Sequence, residues 1–154
     1  MGIFDNTPIG ELIRRGYAIS ETELFMDVVS ENETRKLIVK LNTDQMKLEF
    51  KNSKGELLSS VGRPYSPYTV SEGNKKGRFK VDLYDTGDFH ESFRVENVSG
   101  LGFEIKSDPI KDDGTNLLNE WGADVEGLTV ESLDKLSLFL VKKYQEIILR
   151  KLTL

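Results

Sequence analysis

The stretch from residue 82 to residue 91 holds the side chains of this sequence that are best suited to chemistry. Four carboxylates recur there at every third position, and the only histidine of the chain lies among them: Asp82, Asp85, Asp88, Glu91 and His90. Carboxylate oxygens are ligands for Ca²⁺ and Mg²⁺, but the spacing is not that of an EF-hand loop. Acidic residues near a helix start also complement the helix dipole. The pattern therefore favours a structural role over a metal site.

A nuclease of the magnesium-dependent PD-(D/E)xK kind is the alternative that uses these residues as catalysts. Asp85 or Asp88 would bind magnesium together with Glu104, and Lys106 would position the attacking water. Glu104 and Lys106 are separated by one residue on a predicted strand. They would therefore also fit on the solvent-exposed face of an ordinary hairpin. The net charge of −5 is also unfavourable for gripping DNA. We keep this reading as the second hypothesis.

The structural interpretation explains more of the residues in this stretch. Asp85 or Thr86 is predicted to cap a short helix, and Gly87 to let the chain turn sharply out of an extended segment. Phe89 and Phe93 are four residues apart, so they share one helix face and are predicted to enter the core. The polar residues would then form a strand-to-helix corner that the aromatic pair holds in place.

Composition narrows the classes of function. The chain has 154 residues and no cysteine, which excludes disulfides, thiolate zinc sites and cysteine nucleophiles. It carries no long basic run, so we expect no sequence-specific nucleic-acid binding. No stretch has the length of a membrane span or the pattern of a signal peptide, so we expect a protein made in the cytoplasm, without a membrane partner. No pattern calls for a cofactor.

The elements that would position these residues form one α+β domain. An N-terminal helical segment is predicted over residues 1–42, with a helix near Ile9–Arg15 and a capping box at Ser20–Glu23. Its apolar stripe falters at Ser30–Thr34, which indicates two shorter helices. A sheet-and-loop core is predicted over 43–127, and a C-terminal helix capped by Thr129 over 129–152.

The predicted core contains a small antiparallel sheet with helices packed on one side. Met46, Leu48 and Phe50 alternate with charged residues, as in a strand with one buried face. A hairpin with its turn at Ser99–Gly100 follows further along the chain. After it comes a short helix that Thr115 caps and Gly122 ends.

Residues 59–80 are predicted to form a long loop that serves as a contact surface. The segment is rich in glycine and proline and has no apolar period. Four apolar or aromatic side chains in it have no evident local burial, and they are the candidate interface: Tyr65, Tyr68, Val70 and Phe79. Tyrosine is enriched at protein–protein contacts.

The order of these motifs resembles the tail-completion or minor-capsid proteins of tailed bacteriophages, in the variant with an Asp-Thr-Gly-Asp-Phe motif. The matching residues cover much of residues 41–127 and are Leu83, Asp85, Thr86, Gly87, Phe89, Ser92, Phe93, the strand to Ser107, and Glu120–Gly122. The chain departs from the family's pattern before the last helix, where it reads VEGLTVES instead of a Pro-Phe segment.

The resemblance implies a non-enzymatic virion protein of the head–tail neck. Such proteins assemble with copies of themselves as a cyclic ring, here of roughly six or twelve subunits, between portal and tail proteins. The resemblance therefore implies partners that are other neck, portal or tail proteins, and no catalytic site, metal or cofactor.

Overall fold

The computed structural model describes residues 6–73, 75, 77 and 79–153 and shows an α+β fold. Residues 74, 76 and 78 of the predicted loop lie outside the described residues. The elements in chain order are α1 (Pro8–Tyr17), α2 (Glu21–Ser30), α3 (Asn32–Glu49), α4 (Leu58–Val61), α5 (Pro67–Ser71), α6 (Asp88–Glu91), β1 (Arg94–Ser99), β2 (Gly102–Lys106), α7 (Leu117–Trp121) and α8 (Val130–Thr153). A single 3-10 turn, Ala123–Val125, precedes α8.

Side-chain caps begin the first two helices, and the one at Ser20 was predicted. Thr7 Oγ1 accepts a hydrogen bond from the Gly10 amide at 3.0 Å, and Pro8 occupies the first turn of α1. Ser20 Oγ accepts from the Glu23 amide at 3.4 Å at the start of α2. The chain leaves the helical conformation at Glu31, whose ψ is 137°, and α3 starts one residue later. The predicted break into two helices is confirmed.

The strand predicted at residues 45–51 is wrong, because α3 continues through Glu49 and the helical segment therefore passes residue 42. Met46 is fully buried while Leu48 is exposed, although an alternating strand would have put both on one face. Phe50 ends the helix in the left-handed conformation with φ 61°. Met46 and Phe50 are four residues apart, a spacing that fits one face of a helix as well as one face of a strand. Contacts with distant parts of the fold decide between helix and strand.

Those contacts are made by two buried amides on α3. Asn42 Nδ2 donates to the carbonyl of Val125 at 2.9 Å, and its Oδ1 accepts from the amide of Gly127 at 2.8 Å. Gln45 Nε2 donates to the Gly127 carbonyl at 2.7 Å, and its Oε1 accepts from the Thr129 amide at 3.0 Å. Both side chains reach the segment before α8 only from a helical α3 with these two residues on one face.

The sheet is the two-stranded antiparallel hairpin β1–β2, in which Val95 pairs with Ile105. Both of these side chains are buried, and α2 and α3 contact β1. The register shifts between Glu96 and Ser99, where Asn97 has a φ of 51°. A bulge of this kind bends the hairpin and increases its twist.

The C-terminal helix α8 begins at the predicted cap. The Thr129 hydroxyl accepts from the Ser132 amide at 3.2 Å. Leu136 and Ile147 of this helix are buried, whereas Leu133 is exposed. A capping prediction at the shorter helix α7 is wrong: Asn116, rather than Thr115, accepts from the amides of residues 118 and 119. Asparagine is the stronger of the two caps.

The prediction that residues 59–80 form one irregular loop is also wrong. Helix α4 lies at its start, and α5 begins at Ser66, whose hydroxyl accepts from the Thr69 amide at 3.1 Å. Proline follows the cap as residue 67, at a position where its missing N–H is not needed. The short apolar period of one-turn helices is too brief to be visible in the sequence.

We predict that Phe93→Ala lowers the free energy of unfolding by about 3–5 kcal/mol, because Phe93 is buried in the main core cluster. Phe89 is only half-buried and packs on that cluster from outside, so Phe89→Ala is expected to cost less, about 1–3 kcal/mol. Denaturant melts of the two variants test the difference. Equal losses, or a loss below about 1 kcal/mol for Phe93→Ala, would contradict this assignment of the core.

Candidate functional site

The Asp-Thr-Gly stretch forms a tight corner in front of α6. Gly87 is the N-cap residue, with φ 106°, so the prediction that Asp85 or Thr86 occupies that position is wrong. Thr86 still contributes, since its hydroxyl accepts from the Asp88 amide at 3.4 Å and donates to Asp88 Oδ2 at 2.5 Å. A side chain at residue 87 would be strained by this φ and would lie 3.2 Å from the Tyr84 hydroxyl. Glycine is therefore required here.

The aromatic pair behind the corner is only partly as predicted: Phe93 is buried but follows the end of α6, and Phe89 is half-buried and packs on the core from outside. The rings of Phe89 and Phe93 lie edge to face, with centroids 5.0 Å apart. Ser92 ties the corner to the hairpin, because its hydroxyl donates to the Phe89 carbonyl at 2.7 Å and accepts from the Asp108 amide at 2.9 Å. The end of β2 and the start of β1 are thereby held against α6.

A buried ion pair lies directly before the corner. Lys75 Nζ is 2.8 Å from Asp82 Oδ1, and the two side chains are 6% and 7% exposed. The Tyr65 hydroxyl donates to the same oxygen at 2.7 Å, and the amide of Tyr84 donates to it at 3.0 Å. Asp82 therefore connects the segment that contains α5 to the chain that enters the corner.

These contacts shift the pKa values of Asp82 and Tyr65 in opposite directions. Burial alone would raise the pKa of Asp82, but the hydrogen bonds from Lys75 and Tyr65 outweigh it and hold that pKa below its ordinary value. Burial, together with the bond to Asp82, raises the pKa of the Tyr65 hydroxyl well above its usual range. Asp82 is thus the anion of the cluster and Tyr65 a permanent donor.

His90 is a buried structural residue of the same cluster. Its Nε2 lies 3.0 Å from the backbone carbonyl of Asp82, which can only accept, so Nε2 carries the proton. The ring meets Tyr84 edge to face at 5.2 Å. Burial lowers the pKa of His90 below its ordinary value, which keeps the imidazole neutral. A neutral ring fixed to a carbonyl and enclosed by aromatics is not placed to exchange protons with a substrate.

An open cleft of about 850 Å³ lies between the corner, the Arg63–Thr69 segment and the connection from β2 to α7. Its volume falls within the range of ligand sites, about 300–1,000 Å³. The apolar part of its lining is formed by Tyr65, Leu83, Phe89, Ile110, Leu117 and Trp121. Leu83 has a φ of 54°, a strained conformation for a leucine. The carboxylates around the cleft are Asp85, Asp88, Asp108, Asp112, Asp113 and Glu120.

The residues of the nuclease hypothesis do not form one site. Asp85 and Asp88 line the cleft, whereas neither Glu104 nor Lys106 does. Glu104 accepts a hydrogen bond from Asn97 at 2.5 Å, and Lys106 pairs with Glu126 at 3.7 Å. Over residues 6–73, 75, 77 and 79–153, no three acidic or histidine side chains are grouped closely enough to hold a metal ion.

The four candidate interface residues have two different environments. Tyr68 and Phe79 are largely exposed. Val70 is half-buried, and Tyr65 is half-buried in the Asp82 cluster. The expectation that none of the four is buried locally is therefore wrong for Tyr65 and Val70.

The places of Lys75 and Trp121 at this site could not be predicted from the sequence. Lys75 belongs to a basic stretch, which is typical of a solvent-exposed segment. Its burial and its ion pair with Asp82 are visible only in the structure. Trp121 is the only tryptophan, and α7 places it in the cleft. Its single occurrence in the chain is the one signal that could have drawn attention to it.

No family model, curated protein or solved structure matches this chain. Within the described part of the chain, no helix has the length and apolar character needed to cross a membrane.

We predict that Lys75→Met lowers the free energy of unfolding by about 3–5 kcal/mol, because it leaves the Asp82 carboxylate buried without its counter-ion. Lys54→Met is the matched control, since it breaks an exposed pair with Asp124, and no measurable loss is expected. Chemical denaturation of both variants makes the comparison. A loss below about 1 kcal/mol for Lys75→Met would show that the pair is not an important tie in the fold.

The single histidine permits a direct test of its buried state. In an NMR titration, the midpoint of His90 is expected below its ordinary value of 6.5. Because the unfolded chain then binds a proton before the folded one, His90 stabilises the fold fully above that value, and this contribution is lost as the pH falls through the folded pKa. His90→Gln is expected to show a shallower loss of stability in this range. A midpoint at or above 6.5 would contradict the buried, neutral assignment.

Proposed function

We propose that this protein is a structural component of the head–tail neck of a tailed bacteriophage, made in the host cytoplasm and assembled into the virion as a ring. The motif order from Leu83 to Gly122 is one support for this proposal. The single observation that carries it is an amphipathic helix whose apolar side is turned to solvent. Such a surface is typical of a protein that is completed by neighbours.

That helix is α1. Ile9, Leu12, Ile13 and Tyr17 follow helical spacing along one stripe and are between 44% and 89% exposed. Gly10, on another side of the helix, is buried, and Arg15 donates to the Leu152 carbonyl at 3.3 Å. The helix therefore contacts α8 through its small and basic residues and leaves its apolar stripe uncovered.

A second exposed apolar row lies on α8. Val130, Leu138, Val141 and Leu149 recur at helical spacing and are all more than half exposed. A cyclic ring needs two different surfaces on each subunit, because every copy contacts one neighbour through each of them. Separate apolar rows on α1 and α8 meet this requirement. Tyr68 and Phe79 offer further exposed aromatic area for contacts with neighbouring neck, portal or tail proteins.

The nuclease alternative gains no support from the arrangement of its residues. Glu104 and Lys106 are engaged on the hairpin with Asn97 and Glu126, as described above. The acidic cleft would also repel the phosphates of a nucleic acid. A structural role without catalysis is the function that this geometry supports best.

We predict that Leu12→Ser/Ile13→Ser leaves the subunit folded but prevents ring formation, because both side chains are exposed and contribute little to the core. Leu101→Ser is the matched control: this leucine is equally exposed but lies at the tip of the hairpin. The protein is expressed alone and together with the products of the genes beside its own, and assemblies are examined by light scattering and electron microscopy.

The control is expected to assemble as the parent does. Circular dichroism establishes that the double variant is folded. Normal rings from a folded double variant would remove α1 from the interface, and the absence of rings from the parent protein with its neighbours would overturn the proposed function.

A further inference from the structure

The cleft beside the corner combines an apolar lining with an excess of carboxylates. Ile110 lines it and is largely exposed, while Leu83, Leu117 and Trp121 form its more buried part. A concave surface with an apolar lining and a small number of polar groups is the form that ligand sites in proteins take.

The charges around this cleft are not balanced. Asp85 pairs with Lys111 at 3.4 Å, and Asp108 pairs with Arg94 at 2.9 Å. Lys75, which also lines the cleft, is neutralised by Asp82. Four other lining carboxylates make no ion pair with any described residue: Asp88, Asp112, Asp113, which accepts from the Thr115 amide at 2.9 Å, and Glu120. They outnumber Arg63, a lining cation that likewise makes no ion pair with a described residue. The cleft therefore carries unpaired negative charge around an apolar surface.

Trp121 lines the same cleft and is tightly packed there. The residue is 7% exposed, and its indole Nε1 has no hydrogen-bond acceptor among the described residues. It packs closely on Gly62, where a side chain would lie only 2.6 Å from Nε1, and the next two residues, Arg63 and Pro64, line the cleft. The indole N–H is thus buried against Gly62, and Trp121 contributes ring surface to the cleft instead of a donor.

We propose that the cleft binds a basic, extended peptide segment of a partner protein. The carboxylates of Asp88, Asp112 and Glu120 pair with its lysine or arginine side chains, and an apolar side chain between them packs against Ile110 and the aromatic lining.

Other occupants fit these features less well. Phosphate-bearing ligands are disfavoured by the unpaired carboxylates. A free metal ion would need several carboxylates close together, and the described residues form no such group. A small polyamine would match the charge but would leave the apolar lining uncovered. A basic peptide fits both the carboxylates and the apolar lining, because the aliphatic stems of its long cationic side chains cover apolar surface while their charged ends reach the carboxylates.

Trp121 supplies the reporter for the test, because it is the only tryptophan and lines the cleft. The probe is a synthetic acetylated and amidated peptide of sequence KKLFRK, added to the full chain while the indole emission is recorded. A saturable change is expected, with an affinity that falls as salt is added. The comparison probes are EELFEE, KKSSRK and spermidine, and each is expected to bind at least about tenfold more weakly, which corresponds to about 1.4 kcal/mol.

Variants distinguish the cleft from general attraction to an acidic protein. The triple variant Asp88→Asn/Asp112→Asn/Glu120→Gln is expected to weaken binding of KKLFRK about tenfold, because it removes three modest charge contacts. The matched control Glu131→Gln/Asp134→Asn/Glu146→Gln removes three carboxylates from α8 and is expected to leave the affinity unchanged. Ile110→Ser tests the apolar contact and is expected to weaken binding by a similar factor.

Several outcomes would overturn the proposal. These are the absence of binding by both emission and calorimetry, equal binding of KKSSRK or spermidine, and an equal loss in the α8 control. Thermal melts verify folding, and the single variant Asp112→Asn, in an exposed turn, replaces the triple variant if the latter does not fold. Binding is measured on the isolated subunit, so it stands or falls separately from ring assembly.

Discussion

A carboxylate that is almost completely buried must be compensated within the protein, and around Asp82 this requirement organises the region between α5 and α6. Lys75, Tyr65 and the Tyr84 amide all converge on one oxygen of Asp82, and His90 binds its backbone carbonyl. Because an uncompensated buried charge is far more costly than a surface one, the segment carrying Lys75 and Tyr65 stays closed over the chain that enters the corner. The cleft has its shape because this segment forms one of its walls.

The second constraint comes from amides instead of charges. Asn42 binds backbone groups of Val125 and Gly127, and Gln45 binds those of Gly127 and Thr129. Helix α3 therefore holds the chain before α8 through four hydrogen bonds. The hairpin is too small to form a core by itself. The helices therefore provide most of the buried apolar surface, and the buried amides of α3 fix how α8 is placed on it.

The sequence was most informative where local chemistry decides the structure. The caps at Thr129 and Ser20, the break near Glu31 and the end of α7 at Gly122 depend on neighbouring residues, and all were predictable. The helical state of residues 45–49 was not, because hydrogen bonds to residues more than eighty positions away determine it. The burial of Lys75 and the cleft itself share this non-local origin. No propensity or period encodes the meeting of Lys75 with Asp82, or of Trp121 with Gly62.

The corner shows why structural and binding roles need not exclude each other in this protein. Gly87 is required for its backbone conformation, and Phe93 for the core, so these positions are explained without any ligand. Asp88 belongs to the same corner, but its carboxylate lies at the cleft and pairs with no described cation. One short motif thus contributes a turn, part of the core and part of a charged rim. Asp88→Asn removes this charge while its amide oxygen can still accept from the Thr86 hydroxyl, and Gly87 and Phe93 are left in place, so the variant separates the proposed recognition from folding.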